Sequence, residues 1–264
     1  MSINAAPTSS PVLTATGLRK TYGHVKALRG ASLEVRAGEV LAIVGDNGAG
    51  KSTFISCICG AVTPDEGEVR IDGTALEPGS IASAMDAGLA AVYQDLAVAP
   101  HLSVVENIFL STELKKPGLL GRLGMLDRRA MRQKSEELMH GLGIDLPNLD
   151  RPVEQLSGGQ RQVVAVARAV SRASRVVVLD EPTAALGAKQ SKIVLDTIEA
   201  TRQRGIAVLL ISHDLPRVLE IADRIVVMRL GAVATEVDPR GTTVSDVVAL
   251  MLGETSLNDE RRAS

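Results

Sequence analysis

Four stretches of the chain are apolar almost from end to end and rich in β-branched residues: EVLAIVG at 39–45, GLAAVYQ at 88–94, RVVVLDE at 175–181 and GIAVLLISH at 205–213. Strands covered on both faces read this way, and they belong to parallel sheets flanked by helices. The first third of the chain differs. LTATGLRKTYG and LRGASLEVRAGEV alternate apolar and polar residues between glycines, which predicts antiparallel strands ahead of the parallel core. From about 97 to 160 there is no convincing strand, and DRRAMRQKSEELMHGLG predicts a clear helix with Asp127 as N-cap and Gly141 or Gly143 near its end. The pattern therefore predicts an α/β fold with a parallel core sheet, an N-terminal antiparallel β subdomain and a helical insert. One domain is expected over residues 12–255, between disordered tails at 1–11 and 256–264.

Composition narrows the function. At 264 residues the chain can bury a sizeable core, and a formal net charge of −2 argues against a general grip on nucleic acid. Cys57 and Cys59 lie two apart in a helical run and face away from each other, as reduced structural thiols do. No apolar run approaches the roughly 18 residues needed to cross a bilayer, and MSINAAPTSSP lacks the charged and apolar regions of a signal peptide. A cytosolic chain is expected.

Gly45-Asp46-Asn47-Gly48-Ala49-Gly50-Lys51-Ser52-Thr53 follows the first apolar strand and opens a helix, the setting that the phosphate-loop pattern G-x-x-x-x-G-K-[ST] requires. Glycines let backbone N–H groups close around a β-phosphate, Lys51 reaches the β and γ oxygens, and the Ser52 hydroxyl suits Mg²⁺. RVVVLDE supplies a complement: a buried strand ending in Asp180, suited to supporting the metal, and Glu181, suited to polarising an attacking water. A second glycine pair, in Leu156-Ser157-Gly158-Gly159-Gln160, runs straight into the helical stretch RQVVAVARAV. Capping by Ser157 alone accounts for neither the two glycines nor Gln160.

Phosphate loop, LSGGQ, a strand ending in DE and a strand ending in histidine, in this order and at these spacings, resemble the nucleotide-binding subunits of ATP-binding-cassette (ABC) transporters over about residues 12–255. The resemblance implies ATP and Mg²⁺ as ligands. It implies a homodimer in which Ser157, Gly158, Gly159 and Gln160 of one chain close on the γ-phosphate held by the other. Tyr22 matches the aromatic that stacks on adenine, Gln94 the glutamine that reaches Mg²⁺ and the water, and His213 the histidine that contacts the γ-phosphate. The family's S-A-L-D after the catalytic glutamate is here Ala184-Ala185-Leu186-Gly187, so the aspartate that links the two sites is missing.

The AALG form, YQDLAVAPHLSVVENIFL, KKPG at 115–118, GMLD at 124–127 and MRLG at 228–231 resemble monosaccharide-import ATPases of the fructose, ribose and xylose kind. Such a subunit works on the cytoplasmic face of the inner membrane, under a polytopic permease and, through it, an extracytoplasmic sugar-binding protein. The alternative is a soluble ABC-type ATPase not coupled to transport. Leu96, Val98, Pro100 and Leu102, beside Gln94, are expected to rim a groove for a short permease helix.

Overall fold

The structure, a computed structural model, describes residues 10–93, 96–184 and 186–254. The tails expected at 1–11 and 256–264 lie outside the described residues except for positions 10 and 11, and so do Gln94 and Ala185. In chain order the first elements are β1 (Leu13–Tyr22), β2 (Val25–Val35), β3 (Val40–Val44), α1 (Lys51–Ile58), β4 (Glu66–Ile71), β5 (Thr74–Ala75), α2 (Ile81–Asp86) and β6 (Leu89–Val92). Next come α3 (Val104–Phe109), α4 (Leu119–Arg122), α5 (Arg128–Gly141) and α6 (Gly158–Arg172). The rest are β7 (Val176–Asp180), α7 (Ala188–Gln203), β8 (Ala207–Ile211), α8 (Leu215–Ile221), β9 (Arg224–Arg229), β10 (Ala232–Val237) and α9 (Val244–Leu252). Among the described residues no helix is long and apolar enough to cross a membrane.

Two compact units result. One is built from the described chain up to Ala91, Ala173–Leu179 and the described chain from Thr201, the other from Val92–Arg172 and Asp180–Ala200. In the first, the alternating segments form an antiparallel sheet of order β2-β1-β4-β5. The continuous apolar segments enter a sheet of order β10-β9-β3-β8-β7-β6. Its β3 is buried at every residue and runs parallel to β8 and β9, pairing Ile43 with Ile211 and Val44 with Val227. Ala42 and Val44 pack with Leu215 and Val218 of α8, Ile225 and Val227 of β9 and Val247 of α9, so helices cover the face that period-two polarity would have left wet. The β4–β5 and β9–β10 pairs escaped the apolar pattern because β4, β5 and β10 are largely exposed or only half-buried.

The second unit is helical between its ends. Among its described residues, pairing between 97 and 160 is limited to the isolated bridges Ser103–Pro152 and Lys115–Leu126. Asp127 caps α5 as expected, its carboxylate accepting from the Ala130 amide at 3.0 Å, and Gly143 lies just past the end with φ +66°. In α6, Val163, Val164, Val166, Ala167 and Val170 are buried, the stripe that its 3.6-residue period directs at a core.

Candidate functional site

The turn from β3 into α1 holds its glycines for three reasons. Gly48 has φ +82° in open space, so the backbone angle alone excludes a side chain. Gly50 has φ +100°, and a Cβ there would sit 2.6 Å from the Ala27 carbonyl oxygen. At Gly45 a Cβ would strike the carbonyl oxygen of Met228, on the neighbouring strand. Helix α1 starts on Gly50 with no side chain capping it, leaving the first-turn amides of Lys51, Ser52 and Thr53 facing the loop. Lys51 folds back across it, donating from Nζ to the carbonyl oxygens of Gly45 at 2.6 Å and Asp46 at 3.0 Å. Asp46, Asn47 and Ser52 are exposed, Thr53 is half-buried, and buried Ala49 anchors the loop. An uncapped helix start, a ring of amides and one ammonium make a receptor for a polyanion.

Since β8 is parallel to β3 with Ile43 opposite Ile211, Ser212 and His213 leave the sheet at the same edge as the phosphate loop. His213 is exposed there. Tyr22, at the end of β1, is 48% exposed, with Lys20 Nζ 5.6 Å from its ring centroid. Asp65 fixes this strand end, accepting from Lys20 Nζ at 2.9 Å and from the Thr21 amide at 2.7 Å. Those two bonds, the lysine's first, hold its carboxyl below the usual range. Behind the loop, burial pushes the Cys57 thiol up to about 11, which keeps it protonated and unreactive.

In the second unit, Asp180 ends β7 after four fully buried residues and is itself half-buried. Glu181 follows with φ +50°, a left-handed conformation that costs a non-glycine residue energy and clusters at functional positions. At LSGGQ, Ser157 Oγ accepts from the Gln160 amide at 3.2 Å while Gln160 Oε1 accepts from the Ser157 amide at 3.0 Å. This reciprocal capping box corrects the expectation that helix capping leaves Gln160 unexplained. The two glycines differ. A Cβ on Gly159 would lie 2.6 Å from Gln190 Cγ, so the approach of α7 requires glycine there. Gly158 is exposed, and the nearest atom to a Cβ would be an Arg161 guanidinium nitrogen at 3.9 Å.

Comparison with known families decides the kinship: the ABC transporter model matches residues 28–184. The chain belongs to the ABC transporter family. It is 50% identical over 245 residues to the fructose import ATP-binding protein FrcA of Rhizobium meliloti, a match that covers 92% of this chain and 94% of that protein. It is 38% identical to the xylose/arabinose import ATP-binding protein XylG of Sulfolobus acidocaldarius, over 96% of this chain and 100% of that one. Among solved structures, a nucleotide-free ATP-binding cassette from an ABC transporter superposes with a TM-score of 0.78 at 28% identity, covering 93% of this chain and all of that one. The α/β architecture is that of an ABC ATP-binding domain.

Three positioning elements of this ABC cassette escaped the reading of the sequence. Fully buried Asn107 accepts from the Ala99 amide at 2.8 Å and donates to the carbonyl oxygens of Ala99, Leu102 and Ser103 at 3.0–3.1 Å. Arg168 donates to those of Leu96 and Ala97 at 3.1 and 3.0 Å. Together they fix the segment after Gln94; a lone asparagine in the apolar run VVENIFL was the available signal. The third is the β9–β10 turn. Arg229 pairs with Ala232, so Leu230 at φ +50° and Gly231 at φ +80° form a two-residue turn of the I′ kind, and the Gly231 amide donates to Ala49 O at 2.9 Å. MRLG thus buttresses the phosphate loop. Gly187 is under no comparable constraint: its φ is not positive, and a Cβ would meet only the flexible end of Gln190 at 3.0 Å.

Proposed function

We propose that this chain is the ATP-hydrolysing subunit of an ABC importer for a monosaccharide of the fructose, ribose or xylose class. The observation that carries the reading is 50% identity to a fructose import ATP-binding protein over nearly the full length of both chains. The soluble-ATPase alternative is not favoured by relatives of this kind. The cassette would occupy residues 12–255 with its helical subdomain at about 97–160. It would work as a homodimer on the cytoplasmic face of the inner membrane, energising a polytopic permease that receives sugar from an extracytoplasmic binding protein.

In this reading Tyr22 stacks on adenine, and Gly45, Asp46, Asn47, Gly48, Ala49, Gly50, Lys51, Ser52 and Thr53 enclose the phosphates of ATP. The fit rests on the uncapped α1 and on glycines that other backbone atoms forbid from growing a side chain. Ser52, Asp180 and Gln94 offer the hard oxygen donors that suit Mg²⁺, which when bound neutralises phosphate charge. Glu181 takes a proton from the attacking water, His213 and Gln94 orient the reacting groups, and Ser157, Gly158, Gly159 and Gln160 close on the nucleotide of the partner subunit. Glu181→Gln should keep ATP binding, slow hydrolysis by about 10²-fold or more and accumulate an ATP-bound dimer. Only monomer on gel filtration at saturating ATP would count against the dimer. Unchanged uptake of every labelled monosaccharide in a deletion strain that expresses no redundant transporter would remove the sugar assignment and leave the ATPase standing.

A further inference from the structure

We propose that the loop from Leu114 to Asp127 is a docking element for an anionic lipid surface, an activity separate from nucleotide handling and not dependent on the transport reading. The loop is built rather than slack. Lys115 bridges to Leu126, the Lys116 amide donates to Met125 O at 2.9 Å, and the Asp127 amide donates to Leu114 O at 2.7 Å, closing the neck. Gly121 is buried against the Lys116 carbonyl, where any side chain would collide, and the Met125 amide returns to Leu120 O at 3.1 Å. This scaffold turns apolar side chains outward. Leu119 and Leu123 are each 72% exposed, and Leu120, Met125 and Leu126 are exposed beside them.

Cations flank these side chains along the sequence. From 113 to 129 the chain carries Lys115, Lys116, Arg122, Arg128 and Arg129 against the two carboxylates of Glu113, which lies beside Lys115, and Asp127, in a protein whose formal net charge is −2. Asp127 is already engaged as the α5 cap, and of the five cations Arg128 reaches a carboxylate only loosely, Glu106 at 3.9 Å. Aliphatic tips rimmed by long cationic side chains match the boundary between acyl chains and phosphate headgroups, where lysine and arginine extend their charge outward. A protein partner fits less well, since a stable interface takes roughly 20–30 residues from each side and the tip at 119–126 supplies eight.

Co-sedimentation of the purified full chain with vesicles tests this without ATP or permease, so its outcome is independent of the transport reading. Binding is expected to phosphatidylglycerol–phosphatidylcholine vesicles and not to pure phosphatidylcholine, and it should weaken as salt rises. Lys115→Glu with Arg122→Glu should lower partitioning by about 25-fold or more, at about fivefold for each lost cation. Leu119→Ser with Leu123→Ser should lower it by about tenfold or more. Both pairs are exposed, so melting temperature and ATP hydrolysis in solution should match the parent chain. Equal binding to both vesicle types, or no binding to either, would overturn the proposal.

Discussion

At the turn into α1 the helix begins with no side chain to cap it, whereas at the turn into α6 Ser157 and Gln160 cap each other. Both turns are glycine-rich, and both would be described from sequence as anion-binding. The physical difference lies in what satisfies the backbone. In the phosphate loop Gly50 and Gly45 are enforced from outside, by the carbonyl oxygens of Ala27 and Met228, and the first-turn amides stay available. In LSGGQ one amide of the first turn is already taken by Ser157, Gly159 is enforced by Gln190, and only Gly158 is left open by its own chain. A cradle that keeps its own ligand has to be rigid when empty. A helix start that, in the proposed dimer, would meet a ligand held by another subunit has to be stable alone, and self-capping makes it so.

Gly50→Ala is the severest way to break this contrast. The substitution forces an L residue to φ +100° and drives Cβ to 2.6 Å from Ala27 O. A loss of about 3 kcal/mol or more is expected, the sum of backbone strain and overpacking. The stabilisation that ATP confers, about 2.7 kcal/mol at a hundredfold excess over Kd, should vanish as well. Thermal melts with and without Mg-ATP give both quantities. An unchanged melting temperature with an intact ATP shift would mean that the loop is not the rigid cradle described.

The α6 turn can be split within one dipeptide. Gly159→Ala should cost about 1–3 kcal/mol through its clash with Gln190, and Gln190→Ala should restore most of that loss. Gly158→Ala should leave stability unchanged, or raise it by up to about 1 kcal/mol as alanine replaces glycine in a helix, while hydrolysis falls by about tenfold or more because a partner's phosphate meets a methyl group. Urea melts beside steady-state ATPase rates separate the two. If Gly158→Ala hydrolyses ATP like the parent chain, its amide is not a phosphate contact.

How much of this was legible beforehand depended on how each residue is used. The buried strands β3, β7 and β8 and the Asp127-capped α5 were written in periodicity and local capping chemistry, so their residues named them directly. The phosphate loop was legible because a spacing of glycines, lysine and hydroxyls has few other uses. The edge pair β9–β10 was not, because β10 is only half-buried and carries no run of apolar residues. Nor was the division of labour between Gly158 and Gly159, which depends on Gln190, some thirty residues further along the chain. Glu181 was legible as a carboxylate, but its left-handed backbone was not. The side chains that hold the segment after Gln94, Asn107 and Arg168, act through main-chain carbonyls that have no sequence signature.

The gentlest probe concerns what holds the phosphate loop from behind. Leu230 is 62% exposed and sits at φ +50° in a two-residue turn that favours asparagine or aspartate before glycine. Its side chain has little burial to lose, while asparagine tolerates the left-handed region through its short polar side chain. Leu230→Asn should therefore raise stability by about 0.5–1 kcal/mol, and the Gly231 amide would keep its bond to Ala49 O. Because the loop is already held by Ala27 and Met228, ATP affinity should stay within about twofold of the parent value, well inside the tenfold that 1.4 kcal/mol would produce. Chemical denaturation and nucleotide titration measure the two numbers on the same protein. A stabilised variant that binds ATP much more tightly would show that the turn sets the geometry of the cradle, and that the contrast with α6 begins one strand further back than the glycines themselves.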